Sequence, residues 1–180
     1  RNISFVSTMM NWALKEGHID ANPVSGLTLP IERDPSTERK VFDPESLGVL
    51  LSNLETGDLA VVRKWMPLIA LYSGMRIEEI AQLRPSDITE VEGHWCFTIT
   101  SEAGSVKTAS ANRVVPIHPE LVGRGLLHHC QSVQLSGQER LWCELRQDKY
   151  GKWSSSYSKW FGRYRKRIGI VDPKITFHSL

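Results

Sequence analysis

Apolar residues three or four positions apart recur along most of this chain, and that spacing places side chains on one face of a helix. The first such stretch, residues 3–14, precedes Gly17, and glycine is common just after the last turn of a helix. Asp43 and Pro44 supply a favourable N-cap and first helical position for a leucine-rich second stretch. The pattern predicts helices over residues 3–17, 44–54, 59–72, 76–83, 119–135 and 154–169.

Two segments carry the β-branched and aromatic residues that favour strands instead. They are HWCFTIT, residues 94–100, and RVVPI, residues 113–117, and a loop containing glycine, serine and one lysine separates them. This arrangement predicts a β-hairpin or a small antiparallel sheet. The predicted fold is therefore mainly α-helical with a small antiparallel β-sheet, which is an α+β class.

The chain divides into three parts by composition. Residues 18–43 contain Asn-Pro, Ser-Gly, Leu-Pro and Asp-Pro pairs without sustained periodicity, which is typical of a linker. Residues 1–17 precede the linker as a lone helix, and we expect this helix to be the last element of a larger N-terminal domain. Residues 44–180 then form a second domain.

Basic residues are concentrated in the last quarter of the chain. The net charge is only +2, but residues 140–180 hold ten Lys/Arg against three Asp/Glu. This asymmetry favours a polyanionic partner, and a solvated helix face is the alternative.

No apolar run approaches the ~20 residues that cross a bilayer. No signal-peptide pattern opens the chain, so we expect a cytoplasmic protein without membrane contact. The cysteines and histidines lack metal-ligand spacing, so we expect no metal site.

An arginine follows a glycine-containing turn in the segment SGMRIEEIAQL. At the start of a helix, the Arg76 guanidinium can join free backbone N–H groups in facing an anion. Glu79 lies one turn further along, where it can hold that guanidinium through a local ion pair. On these residues alone, an ordinary pair on a solvated surface is the simpler interpretation.

Three segments together resemble the tyrosine recombinase family, to which phage integrases belong. SGMRIEEIAQLRPSDI, residues 73–88, is similar to the first signature box of that family. VKTASANRVVPI, residues 106–117, looks like the hairpin that carries the catalytic lysine, and FHSL, residues 177–180, looks like the start of the second box, His-x-x-Arg. NWALKEGHIDANPVSGL, residues 11–27, is similar to the last helix and exit of the family's core-binding domain.

The resemblance implies a site-specific DNA recombinase that breaks and rejoins DNA through a 3′-phosphotyrosyl bond without metal, ATP or another cofactor. Arg76 would bind the scissile phosphate, and Lys107 would protonate the leaving 5′ oxygen. His178 would hydrogen-bond the phosphate or carry the proton of the nucleophile. Glu79 would orient Arg76 without touching the phosphate. The implied partners are double-stranded DNA at attachment sites and further copies of the chain in a tetrameric synapse.

The nucleophile of the family is a tyrosine downstream of the second box, and no tyrosine follows His178 in this sequence. The tyrosines are Tyr72, Tyr150, Tyr157 and Tyr164. Helical spacing indicates that Tyr157 and Tyr164 pack in the core, so none is assigned as the nucleophile. We therefore expect a catalytic domain truncated at the second box, and a chain that does not cleave DNA by itself.

The predicted helix over residues 154–169 carries most of the basic side chains. The residues assigned to DNA contact are Arg113, which opens the return strand of the hairpin, and Lys159, Arg163, Arg165, Lys166 and Arg167. Such cations would add phosphate affinity rather than sequence readout.

Two other functional classes stay open on the sequence. A DNA-binding regulator or inactive decoy would use IEEIAQLRPSDI, residues 77–88, as half of a helix-turn-helix. A polar recognition helix should then follow, but the sequence after Asp87 is strand-like. A purely structural module leaves the basic C-terminal region unexplained, and an absence of salt-sensitive DNA binding would favour it.

Overall fold

The computed structural model describes residues 2–27, 40–100 and 112–180. The chain forms two compact units, Arg1–Glu38 and Arg39–Leu180. Part of the predicted linker, residues 28–39, lies outside the described residues. The assignment of residues 1–17 to a larger N-terminal domain stays a prediction.

The first unit is built around helix α1, Asn2–Lys15. Gly17 follows in the left-handed conformation, with φ of 73°, and the His18 N–H donates to the Ala13 carbonyl at 2.9 Å. This glycine cap confirms the first predicted helix. After the cap, Asn22 Nδ2 donates to Asn11 Oδ1 at 2.6 Å, which holds the next turn against α1.

The second unit is mainly helical within the described ranges. Its helices are α2, Pro44–Thr56; α3, Val61–Ser73; α4, Ile77–Ala81; α5, Pro119–Gly123; α6, Leu126–Leu135; and α7, Ser155–Arg167. Two short 3₁₀ turns, Pro85–Asp87 and Phe177–Ser179, complete them. Asp43 caps α2 as predicted, because its Oδ1 accepts from the Ser46 N–H at 2.8 Å.

The sheet has three antiparallel strands in the order β1, Ile88–Val91; β2, His94–Ile99; and β3, Arg113–Pro116. Glu92 and Gly93 both have positive φ, 51° and 78°, and they form the tight turn between β1 and β2. Phe97 pairs with Ile88 on one side and with Val115 on the other. The small antiparallel sheet and the mainly helical remainder confirm the predicted fold class.

One predicted helix is divided in two in the structure, and another begins later than predicted. Residues 119–135 form α5 and α6 rather than one helix, because Gly125 adopts φ of 91°, which a right-handed helix cannot continue through. The helix predicted from Leu59 begins at Val61, and Leu59 packs against the core from the preceding loop.

Large apolar side chains from several elements meet in one core. Trp142, Phe97 and Phe161 are among the largest fully buried side chains. The Trp142 indole N–H donates to the Ile80 carbonyl at 2.7 Å, so the loop before α7 is fastened to α4. Tyr157 is also buried, as its helical spacing predicts, and burial raises the pKa of its hydroxyl well above the ordinary value.

Within the described ranges, every helix is too short or too polar to cross a bilayer. The segment after Asp87 continues into β1 and β2, so the recognition helix of a helix-turn-helix is not found there.

Candidate active site

Arg76 lies at the start of α4, directly after the turn that ends α3. Gly74 ends α3 with φ of 63°, and Arg76 is the N-cap residue of α4. The side chain of Arg76 is 70% exposed. The local sequence therefore presents a guanidinium to solvent beside the N-terminus of a short helix, which is an arrangement suited to an anion.

Glu79 lies behind Arg76 and is almost fully buried, with 4% of its side chain exposed. Its Oε2 accepts from the Arg76 backbone N–H at 2.8 Å, and its Oε1 accepts from Arg76 Nη1 at 3.2 Å. One carboxylate thus caps α4 and contacts the side chain of the cap residue. Glu79 therefore contacts both the backbone and the side chain of Arg76 from the buried side.

Arg113, at the start of β3, also binds Glu79. Its Nη1 donates to Oε1 at 3.0 Å and its Nη2 donates to Oε2 at 2.8 Å, which is a bidentate pair. Burial acts to raise the pKa of the Glu79 carboxyl, but the bonds from Arg113 and from the Arg76 N–H, with both positive charges, hold it below the ordinary value. Glu79 is therefore ionised at neutral pH.

The pairing of Arg113 with Glu79 was missed by the sequence analysis, which assigned Arg113 to DNA. The two residues are 34 positions apart, and no spacing rule connects a helix with a distant strand. The one available signal is chemical, because a carboxylate on the buried face of a short helix needs a cationic partner.

Lys107 lies outside the described residues, and its assignment stays a prediction. The strands on either side of its segment are described. Ile99, the last residue of β2, pairs with Arg113, the first residue of β3. The residue that binds Glu79 therefore follows Lys107 by six positions, at the base of the segment that contains the lysine.

His178 lies in the turn Phe177–Ser179, and its side chain is exposed. Phe177 next to it is buried and packs edge-on against Tyr157 and Phe161 of α7, with ring centroids 5.7 and 5.2 Å apart. The Ser179 hydroxyl oxygen accepts from the Thr176 N–H at 3.0 Å. The turn is thus fixed by a buried neighbour on each side of the histidine.

Glu78 connects the Arg76 region to the start of α7. Its carboxylate accepts from the Trp153 N–H at 2.9 Å and from the Ser154 N–H at 3.1 Å. Phe177 packs on the first half of α7, and Glu78 binds the two residues that precede this helix. The elements that carry Arg76 and His178 are therefore both attached near the N-terminal end of α7.

A family model described as the phage integrase family matches residues 40–180. This chain belongs to the phage integrase family. The match spans the three segments of residues 73–88, 106–117 and 177–180, and it confirms the resemblance to this family. No sequence among the curated proteins matches the chain significantly.

Solved structures of recombinases share the fold. XerH site-specific recombinase bound to palindromic difH substrate aligns with a TM-score of 0.60 at 18% identity, over 97% of this chain and 54% of that chain. A lambda integrase dimer bound to a COC′ core site gives 0.60 at 19%, over 98% and 47%. The Tn1549 transposon integrase in complex with transposon right end DNA gives 0.57 at 19%, over 96% and 60%. This integrase-family chain therefore spans about half the length of these chains.

The basic residues of α7 separate into two groups in the integrase-family chain. The exposed ones are Lys159, Arg163, Lys166 and Arg167. Positions 159, 163 and 166 follow the spacing of one helix face, so three of these cations form a row along the solvent side of α7.

Arg165 does not fit the predicted contact with DNA phosphate. It is 6% exposed, and its Nη1 donates to the carbonyls of Ile170 and Asp172, each at 2.8 Å. The guanidinium holds the turn that follows α7, because position 165 lies on the buried side of the helix with Tyr164, whereas positions 163, 166 and 167 are exposed. Arg165 is therefore a structural residue, and the DNA assignment was wrong for this position.

Proposed function

We propose that this chain is the catalytic part of a site-specific DNA recombinase of the integrase type, which breaks and rejoins DNA through a 3′-phosphotyrosyl intermediate. The observation that carries the proposal is the exposed Arg76 guanidinium, held at a helix start by buried Glu79 inside an integrase-family fold. Phosphoryl transfer depends mainly on positioning and on charge stabilisation of the phosphate oxygens, and a fixed arginine supplies both.

Each proposed catalytic residue has a separate task. Arg76 donates to the nonbridging oxygens of the scissile phosphate, where a planar guanidinium can make two parallel hydrogen bonds. Lys107 gives its proton to the 5′ oxygen as that oxygen leaves, so the departing strand ends in a hydroxyl. His178 donates to the phosphate or accepts the proton of the attacking tyrosine.

The exposed cations of α7 support a DNA substrate. The cations lie on the helix whose N-terminal end is in contact with the elements that carry Arg76 and His178. They are Lys159, Arg163, Lys166 and Arg167. In this proposal they bind backbone phosphates beside the cleavage point and supply affinity without reading sequence.

The partners in this proposal are duplex attachment sites in the cytoplasm and further copies of the same protein. The XerH and lambda integrase structures are complexes with DNA, and the lambda integrase is a dimer. A tetrameric synapse would bring two duplexes together for exchange, and no metal or cofactor takes part in the proposed chemistry.

The attacking tyrosine is not assigned to a residue of this sequence. Tyr157 and Tyr164 are buried in the core, and burial raises the pKa of both hydroxyls. We propose that the chain by itself binds DNA but does not cleave it, and that the complete gene product supplies the nucleophile.

A nicked suicide duplex tests the proposal, because the released segment diffuses away and traps any covalent adduct. The chain by itself should shift duplex DNA in a salt-sensitive manner without forming an adduct, whereas the complete gene product should form one. Arg76→Ala or Lys107→Ala in the complete protein should abolish strand exchange while DNA binding stays detectable, because the cations of α7 remain. Arg76→Ala should weaken binding by no more than one contact to a charged group, about tenfold. Unchanged recombination by either variant, or an adduct on the chain alone, would contradict the corresponding part.

A further inference from the structure

The buried carboxylate of Glu79 is shared by two guanidinium groups. Arg76 and Arg113 together carry two positive charges against one negative charge, so the cluster keeps one net positive charge. The carboxylate itself is 4% exposed, and its charge is compensated by these partners rather than by water.

The two arginines contact the carboxylate unequally. Arg113 uses both terminal nitrogens, at 3.0 and 2.8 Å. Arg76 contacts it through one terminal nitrogen at the longer distance of 3.2 Å. The side chain of Arg113 is 37% exposed and that of Arg76 is 70% exposed. The bidentate and shorter pair is the stronger one, so the negative charge is compensated mainly by Arg113.

This division meets two conflicting requirements. Helix α4 needs an acceptor for the Arg76 N–H, which Glu79 provides at 2.8 Å. A phosphate needs Arg76 to keep its charge and its donors, and a carboxylate paired with Arg76 alone would neutralise that charge. The presence of Arg113 satisfies both requirements. Glu79 still accepts from the Arg76 N–H, while the negative charge of its carboxylate is compensated by Arg113.

We propose that Arg113 is the counter-charge of Glu79, a positioning residue that leaves Arg76 positively charged and open to a phosphate oxygen. The proposal rests on the proposed function, since it assumes that Arg76 binds DNA phosphate. It reassigns Arg113, which the sequence analysis placed directly on DNA. It also links β3, and so the strand that follows Lys107, to the arginine of the first box.

A charge-removal cycle tests the proposal in the chain as it stands. The variants are Arg113→Gln, Glu79→Gln and the double variant, and the probe is a labelled duplex of random sequence at pH 8. Arg113→Gln should weaken binding about tenfold, since Glu79 then takes Arg76, and one hydrogen bond to a charged group has about that value. Adding Glu79→Gln should restore affinity to within about threefold of wild type, because glutamine keeps an acceptor for the Arg76 N–H.

A matched control separates this effect from general electrostatics. Glu90 is an exposed carboxylate on β1, and Glu90→Gln in the Arg113→Gln background also removes one negative charge. It should restore little affinity, because the charge of an exposed carboxylate is screened by water and salt, whereas Glu79 contacts the Arg76 guanidinium directly at 3.2 Å. Equal recovery from Glu90→Gln and Glu79→Gln would overturn the proposal.

Other roles for Arg113 give different results. If Arg113 itself contacts phosphate, the double variant stays as weak as Arg113→Gln. If Arg113 only stabilises the fold, thermal unfolding of Arg113→Gln shifts downward and the affinity is not recovered by Glu79→Gln. Either outcome overturns the proposal.

A second measurement, by NMR, tests the role of Arg113 without using DNA binding. The ¹⁵N signal of the Arg76 guanidinium should move in Arg113→Gln and return in the double variant, and inorganic phosphate should perturb it less in Arg113→Gln than in wild type. If wild type does not bind DNA but these shifts appear, the proposed function fails and the counter-charge role stands. An Arg76 signal unchanged by Arg113→Gln overturns the counter-charge role whatever the DNA result.

Discussion

Replacing Arg165 by methionine isolates the structural role of one buried cation in a basic helix. The change removes two hydrogen bonds from a charged donor, to Ile170 and Asp172, and these contribute about 1.5 kcal/mol each. The Asp172 carbonyl also accepts from the Ile175 N–H at 3.2 Å, so it keeps one partner. We therefore expect a loss of about 2 kcal/mol in the free energy of unfolding rather than the full sum of about 3.

Urea unfolding followed by circular dichroism measures this loss. With a slope of about 2 kcal/mol per molar urea, the midpoint of Arg165→Met should fall by about 1 M. Lys166→Met is the matched control, because position 166 is adjacent and exposed. Its free energy of unfolding should change by less than about 0.5 kcal/mol.

In DNA binding the larger effect should come from Lys166→Met rather than from Arg165→Met. Lys166→Met should reduce the salt dependence of the association constant by about 0.9 in the logarithmic slope, as expected for one lost phosphate contact. Arg165→Met should leave that slope unchanged at temperatures where it is folded. We assign a structural role to Arg165 and phosphate binding to Lys166. A urea midpoint of Arg165→Met equal to that of wild type, or a salt slope of DNA binding reduced as much as in Lys166→Met, would refute this assignment.

Three further predictions concern the stability of the second unit. Gly125→Ala should destabilise the protein by about 1–2 kcal/mol in urea, since φ is 91° there, whereas Gly123→Ala inside α5 should be neutral or slightly stabilising. Trp142→Phe should lose about 2–3 kcal/mol, because it opens a void in the core and leaves the Ile80 carbonyl without its 2.7 Å donor. The folded-state pKa of Glu79 is depressed below 4.5, so the stability it contributes is present above pH 4.5 and is lost as the pH falls through the folded value. Glu79→Gln should therefore flatten the acid side of the stability profile, and a profile identical to wild type would contradict this.

Local chemistry explains why most of the fold could be predicted. The Asp43–Pro44 start of α2, the glycine that ends α1 and the strand composition around Phe97 act over a few residues, and the structure has them where they were expected. The prediction of a single helix over residues 119–135 was wrong. The spacing of apolar residues continues across Gly125, and only the backbone conformation of that glycine shows where the helix is interrupted.

The candidate site could be predicted in part. The Arg76 and Glu79 pair spans one helical turn, so its spacing is visible in the sequence. The contact of Arg113 with Glu79 depends on how a strand lies against a helix, and the burial of Arg165 depends on which face of α7 meets the core. Both features are decided by tertiary packing, and the number and spacing of basic residues in the sequence give no information about it.

The segment that leads into α2 also holds the far end of the second unit. Lys40 Nζ lies 2.8 Å from Asp172 Oδ2, and the Phe42 N–H donates to the Ser179 carbonyl at 3.4 Å. The first of these contacts joins residues 132 positions apart, so its formation requires closing a very long loop. During synthesis the contacts of Lys40 and Phe42 can form only after residues 172–179 have left the ribosome. The approach to α2 is consequently held in place only once the turn that carries His178 has formed.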